Sequence, residues 1–200
     1  MLPAECYTSV EVLAGELRTL FAGTWTCLGR ADELLPAGTT QRAVTVGDVA
    51  ALLTRTGEVV RMFANTCRHR GHELLPEGAS SDARAVSCPY HAWSYDLAGR
   101  HLAAPGFTGD AALDPAAYSL VELPVALWCG WVFGHALHPL GHPEVVAFER
   151  HLGELDGLMS AYRPEELRLA EQHTYEVAAN WKVIAENYHE CYHCPLIHPE

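Results

Sequence analysis

Two short hooks carry the chemistry that this sequence could do. Cys67 and His69 form a CxH, Cys88 and His91 form a CxxH, and eighteen residues separate them. Thiolate and imidazole are the side-chain donors that favour borderline and soft transition metals, so four of them in paired hooks can close around one centre. Tetrahedral zinc accepts the same set, but its usual hooks group like with like, CxxC followed by HxxxH. Here each hook holds one sulfur and one nitrogen. That suits a two-iron, two-sulfide cluster in which one iron takes both thiolates and the other both imidazoles, an exchange that raises the potential. A zinc ribbon and four unrelated buried residues are the rival readings of the hooks alone.

A second cluster of donors lies in NWKVIAENYHECYHCPLIHPE, from Asn180 to Glu200. Ile184, Tyr188 and Cys191 share a helical face, which predicts a helix from Trp181 to His193 that Pro195 disrupts. His193 then sits in the last turn and His198 on a turn just beyond it. Two imidazoles with a carboxylate on one side of an octahedron form the facial triad of non-haem iron(II) sites, which leaves positions open for dioxygen and solvent or substrate. Other local readings stand beside it. His189 and His193 could be the ligand pair, and Cys191 with Cys194 is a CxxC that could bind zinc or exchange electrons. On a helix those cysteines share a face with Tyr188 and read as small buried residues.

The rest of the chain bounds these options. With 13 basic against 25 acidic residues the net charge is −12, which argues against nucleic acid, because phosphate binding needs a basic surface. No run of eighteen apolar residues exists, and the N-terminus carries three acids before its first base, so neither a membrane span nor a secretory signal is expected and the protein reads as cytoplasmic. Seven cysteines, an odd number, speak against a disulfide framework.

Elements that would position the hooks follow from periodicity. Val10, Leu13, Leu17, Leu20 and Phe21 recur at helical spacing behind Ser9, a plausible cap. TWTCLGRADEL reads as a short strand and turn. Between Arg42 and Asn65, RAVTV, VAALLT and EVVRMF alternate with turn signals at Gly47-Asp48 and Thr56-Gly57, a meander leading into the first hook. ARAVSC enters the second hook, and WSYDL and RHLAAP leave it as a hairpin split by Gly99. SLVELPVALWCGWVFGHA supplies final strands bent at Pro124 and broken at Gly130. From Pro143 the pattern turns helical through Tyr162, a strand is predicted in LRLAEQHTYEVAA, and the 181–193 helix follows. The fold class is α+β, with an antiparallel β domain carrying the metal loops at one tip. The boundaries are residues 1–38, a helix and strand packing on the catalytic part; 39–142, the cluster domain; and 143–200, the start of a helix-containing catalytic domain. His72, His101, His135, His138, His142 and His151 read as ordinary surface or satisfied core residues, and Trp128 and Trp131 as core.

The flanks add a resemblance. NTCRHRG and CPYHAWSYDLAGR resemble the two cluster loops of Rieske oxygenases that hydroxylate aromatic rings, and NWKVIAENYHECYHCPLIHPE is similar to the mononuclear-iron motif of their large (alpha) subunits. The resemblance runs from about Leu13 to Glu200. It implies a Rieske domain with a 2Fe-2S cluster on Cys67, His69, Cys88 and His91. It also implies a mononuclear Fe(II) on His193 and His198, and Glu190 as the acid linking the iron of one subunit to the cluster histidine of its neighbour. Glu190 and His193 are three apart, so on a helix the carboxylate could accept the imidazole N–H that faces away from the metal.

The implied activity is insertion of oxygen from O2 into a small molecule, aromatic or of quaternary-ammonium type, by hydroxylation, dihydroxylation or demethylation. NAD(P)H-derived electrons would come through a reductase or ferredoxin, and the implied assembly is a homotrimer. A glutamate at 190 and the ECYHC run look closer to the branch acting on betaine-like compounds. The family's third iron ligand, a downstream aspartate, has no counterpart before Glu200, and Glu186, Glu190 and Glu200 are poor substitutes, so the chain reads as truncated. The alternatives are a Rieske electron carrier without oxygenase activity, or an inactive fragment.

Overall fold

A computed structural model describes residues 2–107 and 113–190. The chain divides into two compact units, residues 16–167 and, separately, residues 1–15 with 168–200.

Among the described residues, the larger unit has eleven strands: β1 (Thr26–Arg30), β2 (Gln41–Val46), β3 (Val49–Thr56), β4 (Val59–Ala64), β5 (Ser80–Ser81), β6 (Ala85–Ser87), β7 (Ser94–Asp96), β8 (His101–Ala103), β9 (Glu122–Leu123), β10 (Val125–Trp128) and β11 (Trp131–Gly134). They form three antiparallel sheets, ordered β1-β11-β10, β5-β2-β3-β4-β9 and β6-β7-β8. The central sheet is apolar on both faces, which explains the unbroken apolar run in VAALLT. Successive side chains of a strand point to opposite faces. Ala51 and Leu53 of β3 and Met62 of β4 therefore pack against Val132 of β11 on one side. Leu52 and Phe63 face the other way, onto Val86, Trp93, Tyr95 and both hook cysteines. The hooks thus rest on the second core rather than hanging from a loose loop.

The predicted meander holds, with Gly47 at φ 65° in the β2–β3 turn. The β10–β11 turn uses Cys129 (φ 50°) and Gly130 (φ 83°), the left-handed pair that a two-residue hairpin of matching twist requires. The strand Thr26–Arg30, grouped on the sequence with residues 1–38, is hydrogen-bonded to β11, whose Val132 packs on the face of the central sheet opposite the hooks.

Helical expectations fare unevenly. Ser9 does cap, its Oγ accepting the Val12 N–H at 3.2 Å, but the helix is α2 (Val10–Glu16) followed by a π-helical turn, Leu17–Phe21, and is preceded by α1 (Glu5–Thr8). After the four-residue α3 (Ala31–Leu34), the stretch from Pro143 is not one helix. It becomes helical only at α4 (Phe148–Leu152), breaks at Gly153 (φ 58°), and resumes as α5 (Leu155–Met159).

In the smaller unit, the strand predicted in LRLAEQHTYEVAA is absent: residues 168–180 are irregular and, up to Ala179, exposed. Alternation supplies faces, but a strand also needs a neighbour for its backbone, and among the described residues none pairs there. Helix α6 (Trp181–His189) starts at Asn180, whose Oδ1 accepts the Lys182 N–H at 3.1 Å, and the Tyr7 hydroxyl donates to Glu186 Oε1. Among the described residues, no helix is long and apolar enough to cross a membrane.

Candidate metal centre

Both hooks are the same turn built twice. In the first, the Cys67 N–H donates to His72 O (2.8 Å) and the Gly71 N–H to Cys67 O (2.9 Å). In the second, Cys88 N–H donates to Trp93 O (2.8 Å) and Ala92 N–H to Cys88 O (3.0 Å). Each turn closes through a left-handed residue four positions after its cysteine, Gly71 at φ 71° and Ala92 at φ 57°. Asn65, which the sequence reading passed over, anchors the first hook: its side chain donates to Leu75 O (2.7 Å) and accepts from Leu75 N (3.1 Å), a two-point clasp across the loop. An amide immediately before a ligand hook was the available signal.

The four donors are brought together with a burial gradient. Cys67 and Cys88, 2% and 3% exposed, are part of the core and are not disulfide-bonded. His91 is exposed and His69 half-buried, with ring centroids 4.9 Å apart at 76°. Trp93 stacks on His69 (4.9 Å, 11°), and Tyr90 lies 3.8 Å from His91. Of the aromatic residues around the second hook, Trp93 and Tyr95 are buried, whereas Tyr90 is 55% exposed. His101, read as an ordinary residue, is buried against Trp93 (5.0 Å) and Tyr95 (5.8 Å), and its Nε2 has no hydrogen-bond partner among the described residues.

Electrostatics follow burial. Desolvation pushes the Cys67 thiol up, against the Tyr95 hydrogen bond that pulls it down. Partial desolvation, then the fields of His91 and Arg70, push His69 down, which favours the neutral, metal-binding imidazole. The Tyr95 hydroxyl is 3.3 Å from Cys67 Sγ and accepts the Arg68 N–H at 3.0 Å, so its own proton is available to the sulfur. Burial, then Cys67, pushes the phenol well above its ordinary value, so it stays a donor.

A donor set with two sulfurs inward and two nitrogens outward fits a 2Fe-2S cluster bound asymmetrically and does not resemble the like-with-like grouping of a zinc ribbon. Residues 24–118 match the Rieske 2Fe-2S domain family, and residues 164–200 match the catalytic domain of the ring-hydroxylating alpha subunits. The chain belongs to the Rieske oxygenase alpha-subunit family. It is 33% identical over 200 residues to the carnitine monooxygenase oxygenase subunit of Escherichia coli K12, covering 99% of this chain and 52% of that one. It is 34% identical to the glycine betaine monooxygenase oxygenase subunit of Pseudomonas aeruginosa, covering 100% and 45%. Among solved structures, a quaternary ammonium Rieske monooxygenase bound to L-carnitine superposes with a TM-score of 0.80 at 33% identity, over 98% of this chain and 55% of that one. The chain therefore spans about half the length of the curated relatives it matches. Membership implies the 2Fe-2S cluster and a mononuclear iron.

The second half of the family's machinery is less visible. His193 and His198, with Cys191 and Cys194, lie outside the described residues. Helix α6 ends at His189, and Glu190 is extended (φ −108°, ψ 109°) and exposed. The relation of Glu190 to His193 lies outside the described residues. Glu186, a poor candidate ligand on sequence, is engaged by Tyr7.

Proposed function

We propose that this chain carries the cluster-binding part and the first iron-binding residues of a Rieske monooxygenase oxygenase subunit acting on quaternary ammonium compounds. In this reading Cys67 and Cys88 hold the inner iron of the cluster, and His69 and His91 the outer one. His193 and His198 hold the mononuclear iron, and Glu190 bridges to a cluster histidine of a neighbouring subunit. The observation that carries the reading is the paired hooks, with buried sulfurs, outward imidazoles and the Tyr95 hydroxyl against Cys67. The substrate class rests on relatives named for carnitine and glycine betaine, at 32–34% identity. Those names favour a quaternary ammonium over an aromatic hydrocarbon.

When bound, the cluster relays single electrons and the mononuclear iron activates dioxygen. The chain's own residues set the conditions. Trp93 and Leu120 exclude water beside the thiolates, Trp93 fixes the His69 ring, and Tyr95 supplies a hydrogen bond to sulfur. Electrons come from a reductase, directly or through a ferredoxin, and the assembly is a head-to-tail trimer.

Iron per chain after anaerobic reconstitution with iron and sulfide is the direct test. About three irons fits cluster plus mononuclear site, whereas about two leaves an electron carrier. Dithionite-reduced protein is expected to show the paramagnetic spectrum of mixed sulfur and nitrogen ligation; colourless protein overturns the assignment. Oxygen uptake with NADH and a reductase is expected with carnitine or glycine betaine and not with naphthalene.

A further inference from the structure

Beyond the cluster hooks, the larger unit holds a second group of donors on the loop that follows β11. We propose that His138, His142 and Glu144 form an independent site for one divalent transition-metal ion of the zinc type. Their ligand atoms all lie within 4.8 Å of one another. His138 Nε2 and Glu144 Oε2 are in direct contact at 3.0 Å, and need open to only about 3.4 Å to become two adjacent ligands on a tetrahedral ion with bonds of about 2.1 Å. Two imidazoles and one carboxylate select zinc, cobalt, nickel or copper over magnesium or calcium, which prefer all-oxygen shells. The three side chains fill three positions and leave a fourth for water.

The loop is held where such a site needs it. His135 N–H donates to Pro124 O (3.0 Å), Leu140 N–H to Glu122 O (2.8 Å), His142 N–H to Pro139 O (3.1 Å) and Val145 N–H to His142 O (3.1 Å). The Trp25 indole donates to Val146 O at 2.7 Å. Backbone placement is therefore fixed, while the side chains that must close stay adjustable. His138 and His142 stack at 4.1 Å with planes 3° apart, and one ion cannot lie in both planes, so binding requires one ring to turn. Two features permit it: His142 Nδ1 is held only by a 3.3 Å bond from the Glu144 N–H, and the Glu144 side chain is 72% exposed.

An independent observation points the same way. His135, 2% exposed, stacks behind His138 at 5.9 Å; backbone at Gly23 and at His135 itself engages the ring, while its buried Nδ1 has no hydrogen-bond partner among the described residues. A buried nitrogen without a partner costs free energy that a hydrocarbon side chain would avoid. Burial, then the neighbouring His138, pushes the innermost imidazole, His135, down, so it sets no fixed positive charge behind the site.

The test uses protein with its cluster and mononuclear iron loaded, so that Cys67, Cys88, His193 and His198 are occupied, titrated with cobalt(II) by absorption and zinc(II) by calorimetry. One further equivalent per chain is expected. Its Kd should weaken at least tenfold in both His142→Ala and Glu144→Gln, with the cluster spectrum unchanged. Glu144→Gln alters an exposed side chain and decides the matter if His142→Ala fails to fold. Absence of a further equivalent, or one indifferent to Glu144→Gln, overturns the proposal.

Discussion

Ala92 stands where Gly71 stands. Each is the fourth residue after its hook cysteine, each donates its N–H to that cysteine's carbonyl, and each has left-handed backbone, yet one has a Cβ and the other does not. A Cβ at Gly71 meets only Thr66 Cγ2 at 3.9 Å, so Gly71→Ala adds backbone strain of about 1–2 kcal/mol, partly offset by about 0.4–1 kcal/mol of freedom removed from the unfolded chain. Ala92→Gly runs the same two contributions in reverse. Gly71→Ala is therefore expected to destabilise and Ala92→Gly to stabilise, each by about 1 kcal/mol or less; urea midpoints that move in the same direction would refute the shared left-handed geometry.

Tyr95→Phe removes a proton donor from the Cys67 sulfur while keeping the ring that fills the core. Reduction adds negative charge to the cluster, so losing the donor disfavours the reduced state. A hydrogen bond to a charged acceptor is worth about 1.5 kcal/mol, which for one electron lowers the potential by roughly 60 mV. A redox titration with an unchanged midpoint would show that the phenol does not act on the sulfur.

Asp96 closes the β7–β8 turn, Oδ1 accepting from Ala98 N and Arg100 N (both 2.9 Å) and Oδ2 from Arg100 Nε (2.7 Å). Burial raises its pKa, but the Arg100 backbone N–H, the Arg100 side chain and the Ala98 N–H outweigh it and leave the carboxyl below its ordinary value. A depressed folded pKa means stability that is complete above the unfolded value and lost as pH falls through the folded one. Asp96→Ala is expected to cost about 1–2 kcal/mol at pH 7. The gap to the parent should narrow only below about pH 4, as the carboxylate takes up its proton. A gap constant down to pH 2 would mean that the charge contributes nothing.

For Glu190→Ala the expected result is full retention of both metals with turnover abolished, because the carboxylate is proposed as a bridge and not a ligand. Rapid mixing of pre-reduced protein with substrate and oxygen isolates the step: the cluster should stay reduced. Normal turnover would remove Glu190 from the electron path.

The hooks were legible because both ligands of each lie within four residues, so type and spacing carry the geometry. The β2–β4 meander was legible for a related reason, apolar strands punctuated by glycine turns. What depended on distant partners was not. Residues 168–180 alternate like a strand but find no neighbour among the described residues, and β1 pairs with β11 across a hundred residues. The helix from Pro143 was overextended because Gly153, in left-handed backbone, divides apolar positions that share a helical period. The histidines at 135, 138 and 142 read singly as unremarkable, because only the folded loop stacks their rings.

The pairing of β1 with β11 also sets how the cluster-bearing piece could be excised. Cutting at residue 39, the boundary read from the sequence, would strip one flank from a three-strand sheet and expose the open edge of Trp131–Gly134 to intermolecular pairing and precipitation. A minigene that begins ahead of Thr26 keeps that border sealed.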